Sequence, residues 1–128
     1  MNKKSFWQNI FHPDVTLPLI VIIVYLSLIA VANLIAAYFS AVNEQNIIAV
    51  GGNLLSVILY AVPAYGLSRL KRWARITELV LSFLSVALGT FLILAGVLGM
   101  GVVIIIPHAL IAIYLLSDKC RRSFGLIT

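Results

Sequence analysis

Two histidines, one cysteine and four carboxylates are the groups in this 128-residue chain best suited to move a proton or hold a metal near neutral pH. They are His12, His108, Cys120, Asp14, Glu44, Glu78 and Asp118. Their spacing builds little. There is no HExxH helix, no close acid pair and no register that joins Ser, His and Asp. A single cysteine excludes an internal disulfide, a CxxC redox pair and a cysteine-based zinc cage. His108 lies alone in an apolar run, where one imidazole could ligate a chlorophyll-type pigment or one face of a haem. A bis-histidine haem is excluded, because His12 belongs at the opposite end of the structure from His108. The reading preferred for His108 is structural, a neutral ring bonded to a nearby carbonyl or amide. The chain is therefore expected to be no enzyme, to have no catalytic residues and to hold no metal or resident cofactor.

The elements that position these groups follow from composition. Hydrophobic residues make up 62% of the chain and charged residues only 10%, against roughly 25% in ordinary soluble domains. A chain this short cannot hide so much apolar surface from water, so lipid must be its main solvent. The apolar runs divide at "SAVNEQN", at "RLKRWARITE" and at the glycine-rich "GVLGMG". Helices are expected over about 17–39, 47–68, 77–97 and 100–117, each near the ~20 residues that cross a bilayer. Lys3, Lys4 and Ala30-Val31-Ala32 have the marks of a signal peptide, but the apolar run continues to Phe39, which points to an uncleaved span. The expected fold is an all-α integral membrane protein, an up-down four-helix transmembrane bundle forming one domain over residues 1–128.

Charge then sets orientation. All nine bases, Lys3, Lys4, Arg69, Lys71, Arg72, Arg75, Lys119, Arg121 and Arg122, fall on one side of such a bundle, and Glu44 falls on the other. The positive-inside rule makes both termini cytoplasmic. The basic middle loop is a topology signal whose counterions are anionic lipid headgroups, with Trp73 in the interfacial aromatic belt. Nucleic acid is excluded as a partner, because no domain presents a groove-reading element. Glu78 is expected to pair with Arg75 on the first turn of the third helix. Phe6, Trp7, Ile10 and Phe11 suit a short N-terminal interfacial segment. Pro13 and Pro18 bound the start of the first span.

Small and polar residues at helical spacing mark the inward faces. These are Ser27, Ala30, Asn33 and Ala37; Asn53, Ser56, Tyr60 and Ala64; Ser82, Ser85, Gly89 and Gly96; and Gly101, His108 and Ala112. A turn at Leu98–Gly99 sets Gly96 level with Gly101, Gly89 with His108 and Ser85 with Ala112. A turn centred on Asn43 sets Asn33 level with Asn53, and a hydrogen bond between them is expected. Asn33, Asn53 and His108 then lie roughly 9–12 Å below the outer boundary. With Tyr60 they could line an outward-facing polar pocket. Pro63 and Pro107 free the carbonyls of Leu59 and Val103 and favour kinks.

With its LKRWAR-type middle loop between two apolar spans, the chain resembles small prokaryotic four-span membrane proteins. The resemblance implies a topology and a prokaryotic inner or plasma membrane, and no activity. Three functions remain: an accessory or assembly subunit acting through protein contacts in the bilayer, with membrane lipids, other membrane subunits or a second copy as partners; a small oligomeric transporter or channel component using the pocket; and a pigment- or lipid-binding module built on His108.

Overall fold

The computed structural model describes residues 10–126, and these are helical and without strands. Lys3, Lys4, Phe6 and Trp7 of the expected interfacial segment lie outside the described residues. Four helices are long and apolar enough to cross a membrane. The chain divides into two compact units, Met1–Arg69 and Leu70–Thr128, each built around one helical hairpin.

In the first hairpin, α1 spans Leu17–Phe39, a π-helical turn spans Ser40–Glu44, and α2 spans Ile47–Ser68. Thr16 is extended, and Pro18 sits at the start of α1, where the missing N–H costs nothing. The chain reverses at Gln45, which is left-handed (φ 48°), two residues beyond the expected Asn43. Asn46 then caps α2, its side chain accepting from the Ala49 N–H at 3.2 Å. Nothing in Ser40–Glu44 breaks the helix, so the rod continues further than its polar composition suggested. Pro63 lies inside α2 without interrupting it. The buried side chains include Leu19, Leu26 and Leu67, all fully covered, with Ala30, Ala37 and Ala64. The His12 N–H donates to the Ser68 carbonyl at 2.8 Å, so the segment before α1 satisfies the last carbonyl of α2.

In the second hairpin, α3 spans Arg72–Leu94, α4 spans Leu98–Leu116, and the short α5 spans Asp118–Ser123. The third span thus begins five residues before the expected 77. Residues 72–76 contain no helix breaker, and the extended Lys71 offers its carbonyl to the N–H groups of Ala74 (3.1 Å) and Arg75 (3.4 Å). The other end of α3 closes as a Schellman motif. Gly96 is left-handed (φ 91°), its N–H bonds the Ile93 carbonyl at 3.0 Å, and the Val97 N–H bonds that of Leu92 at 2.8 Å.

That cap moves the reversal to Ala95–Val97, ahead of the expected Leu98–Gly99, and the register shifts with it. Gly89 lies against Gly101 and Ile105 instead of His108. Gly101 lies against Gly89 and Ile93 instead of Gly96. The two glycines are the point of closest backbone approach: a Cβ on Gly101 would come within 2.6 Å of the Gly89 oxygen. Pro107 lies inside an unbroken α4. Ser117 is extended (ψ 153°), ends α4 and caps α5 by accepting from the Cys120 N–H at 3.3 Å. Asp118 in the first turn of α5 and Arg121 and Arg122 in the last both suit the helix dipole.

Candidate functional site: a buried polar row in the second hairpin

Of the residues expected to line an outer pocket, Asn33, Asn53 and Tyr60 lie on the first hairpin. The Asn33 amide donates to the Ile29 carbonyl of its own helix at 2.9 Å, and no bond to Asn53 forms. The reason is local competition: a short amide on a helix finds the i−4 carbonyl more readily than a partner across a hairpin. Ser27 and Ser56 behave alike, back-bonding to Ile23 (2.8 Å) and Gly52 (3.0 Å). Asn53 and Tyr60 are half-buried on α2. The hairpin's groove of about 600 Å³ is lined by Ile23, Leu28, Val31, Leu34, Val57 and Ala61 among others, and by none of Asn33, Asn53 and Tyr60. It is an apolar groove. His108 belongs to the other hairpin.

The second hairpin carries a row of buried polar groups that includes two residues expected at the surface, Arg75 and Glu78. Arg75, Glu78, Ser82 and Gly89 recur at helical spacing along one face of α3, and all four are buried. Arg75 is 9% exposed, so it is no headgroup-facing cation. Its Nε donates to the Leu115 carbonyl near the end of α4 at 2.8 Å. The expected Arg75–Glu78 ion pair is not formed, because the guanidinium is committed to that carbonyl. Glu78 is fully buried. The Ser82 hydroxyl stands 3.5 Å from its Oε1, at the outer limit of a hydrogen bond, and Oε2 has no partner among the described residues. Because α3 starts at Arg72, Glu78 lies in the second turn, about 9 Å along the helix, where the sequence reading put it in the first.

On α4, His108 is buried and its Nδ1 stands 2.8 Å from the Ile104 carbonyl. A carbonyl only accepts, so Nδ1 is the donor of this contact. The local signal for this row was available. Ser82 and Gly89 belong to the expected inward face, and Glu78 and Arg75 continue it at i−4 and i−7 from Ser82. A helix start placed too late hid it.

The remaining bases behave as surface groups. Arg69, Lys71, Arg72, Lys119, Arg121 and Arg122 are exposed, as is Trp73. An Arg72 guanidinium nitrogen reaches the Gly125 carbonyl at 3.4 Å, and Asp118 and Arg121 approach to 3.8 Å. Cys120 is fully buried. Burial pushes its thiol above the usual range, and the Arg75 guanidinium pulls it part of the way back. Maleimide should therefore label folded Cys120 slowly at neutral pH, faster as pH rises, and fully once the chain is unfolded in SDS. Rapid stoichiometric labelling of the folded chain at neutral pH would contradict this packing. Among the described residues no group of three His, Cys, Asp or Glu side chains converges to hold a metal. No family model, curated protein or solved structure matches the chain.

Proposed function

We propose that this is a small multi-pass membrane protein that works by contact, an accessory or assembly subunit that binds other membrane-spanning chains through α2. The observation that carries this reading is Asn53. Its amide forms no hydrogen bond among the described residues, and it lies about 9 Å along a membrane-length helix. In hydrocarbon an amide without a partner is costly, and a neighbouring helix can supply one.

The surroundings of Asn53 support the reading. Gly51 and Gly52 are exposed, with no atom within 4 Å of the position a Cβ would take, so a second backbone can approach closely there. Gly52 and Ser56 make a small-xxx-small pair. Only 11% of the most apolar stretch of α2 is buried within the chain, against 17–28% in the other three, so this helix has the most surface left to cover. The one-sided bases favour an orientation with both termini in the cytoplasm, and the proposed site of action is a prokaryotic plasma membrane.

Asn53→Leu and Gly52→Ile test the reading on chain purified in mild detergent. Cross-helix polar contacts contribute about 0.6–1.7 kcal/mol, so Asn53→Leu should weaken recovery of the co-purifying chain roughly 3- to 20-fold. Gly52→Ile should abolish it by blocking close approach. Neither change should lower the chain's own stability. A wild-type chain that elutes alone as a monomer, indistinguishable from both variants, would overturn the proposal.

A further inference from the structure

Among the described residues, Glu78 is the one Asp or Glu whose side chain is enclosed. Asp14, Glu44 and Asp118 are all exposed. An enclosed carboxyl must be neutralised by something, because an isolated buried charge is among the costliest features a protein can carry. Three neutralisers are available in principle: a protein cation, a metal ion or a proton.

A protein cation is not in place. Glu78 forms no ion pair among the described residues, and the nearest base along its own helix, Arg75, directs its Nε to the Leu115 carbonyl. On α4, the contacts of Arg75 with Leu115 and of Gly89 with Gly101 and Ile105 fix the register. That register puts Ile111, Ala112 and Leu115 level with Glu78, and none of these has a side-chain donor. His108 stands further along, level with the turn beyond Ser82, with its Nδ1 proton on the Ile104 carbonyl. From α5, Cys120 faces Arg75.

A metal ion fits no better. Calcium wants six to eight oxygen ligands and magnesium a near-octahedral shell. Glu78 and the Ser82 hydroxyl offer far fewer, and Glu78 belongs to no group of three His, Cys, Asp or Glu side chains among the described residues. A proton needs a single oxygen, and Oε2 is buried with no hydrogen-bond partner among the described residues.

We infer that Glu78 is an intramembrane proton-binding site of the second hairpin, occupied while α3 and α4 are packed and emptied only when they separate. Ser82 holds Oε1 and leaves Oε2 as the oxygen that takes the proton. Because the enclosed site tolerates the neutral acid and not the bare carboxylate, loss of the proton favours an opened hairpin. Proton occupancy and helix packing are thereby coupled. This goes beyond the contact role proposed above and is independent of it, since it concerns a different hairpin.

Infrared difference spectroscopy between neutral and alkaline pH, on the full chain in lipid nanodiscs, tests the inference. The region read is the carbonyl stretch of a neutral carboxylic acid, where an ionised carboxylate contributes nothing, and the Glu78 variants assign any band found there. The wild-type chain should show one such band, shifted in D2O and lost at alkaline pH. Glu78→Gln should remove the whole band, and Glu78→Asp should keep it at a displaced position. A wild-type spectrum with no neutral-acid band overturns the inference whether or not any variant folds. So does a band that persists in Glu78→Gln.

Discussion

Gly101→Ala is expected to destabilise the second hairpin by about 1–3 kcal/mol, the usual cost of overpacking. The sign runs against intrinsic propensity, since alanine favours a helix interior over glycine by about 1 kcal/mol. The reason lies in the crossing. The added methyl would sit 2.6 Å from the Gly89 carbonyl oxygen and 2.5 Å from Ile93 Cγ1. Ile93 can change rotamer, but a backbone carbonyl inside α3 cannot step aside, so the helices must part. Gly89→Ala faces the same obstacle from the other side, 2.9 Å from the Gly101 oxygen. Once the helices have separated for one methyl they accommodate the second more cheaply. The double variant should therefore cost less than the sum of the singles. Gly51→Ala provides the control. It has open space around it and should be neutral or stabilising by up to about 1 kcal/mol. Reversible unfolding in mixed micelles reads all four, and equal effects of Gly101→Ala and Gly51→Ala would contradict the close crossing.

Arg75→Ala is expected to cost about 1.5–3 kcal/mol, the range for a hydrogen bond to a charged group, because it strips a buried donor from the Leu115 carbonyl. That carbonyl is among the last of α4, where the helix itself supplies no donor. Arg75→Lys should recover only part of the loss, since an ammonium cannot reproduce the planar guanidinium fork. A second readout separates this role from general destabilisation. Arg75 lowers the Cys120 thiol pKa, so removing it would slow maleimide labelling if the packing stayed intact. Labelling of Cys120 that becomes faster in Arg75→Ala would report an uncovered thiol, through loss of the guanidinium packed beside it or through α5 coming away. Unchanged stability together with slower labelling would show that Arg75 only tunes the thiol.

The spans themselves were plain in the sequence, because apolar runs of this length leave no alternative solvent. The limits 17–39 and 47–68 reappear in α1 and α2, where a proline and an Asn cap punctuate the chain. The errors cluster where punctuation is ambiguous. A run of bases looks like loop, yet arginine is a good helix former, and α3 absorbs Arg72 and Arg75. Three glycines near residue 99 offered three turns, and only the backbone reveals that Gly96 is the left-handed one. A two-residue error there was enough to pair Gly89 with the wrong level of α4. A five-residue error at the start of α3 turned a buried carboxyl into a surface ion pair. Side-chain partners were the least legible layer. The serines and Asn33 chose carbonyls of their own helices, which spacing between helices cannot foresee.

The arrangement of two hairpins in a membrane is tested most directly by labelling from one side. Single cysteines at Gln45, in the reversal of the first hairpin, and at Lys71, in the link between the hairpins, can be placed in a Cys120→Ser background and expressed in bacterial spheroplasts. A membrane-impermeant maleimide should label the position-45 cysteine in intact spheroplasts and the position-71 cysteine only after the membrane is permeabilised. Labelling of both positions from the same side would contradict the four-span hairpin arrangement.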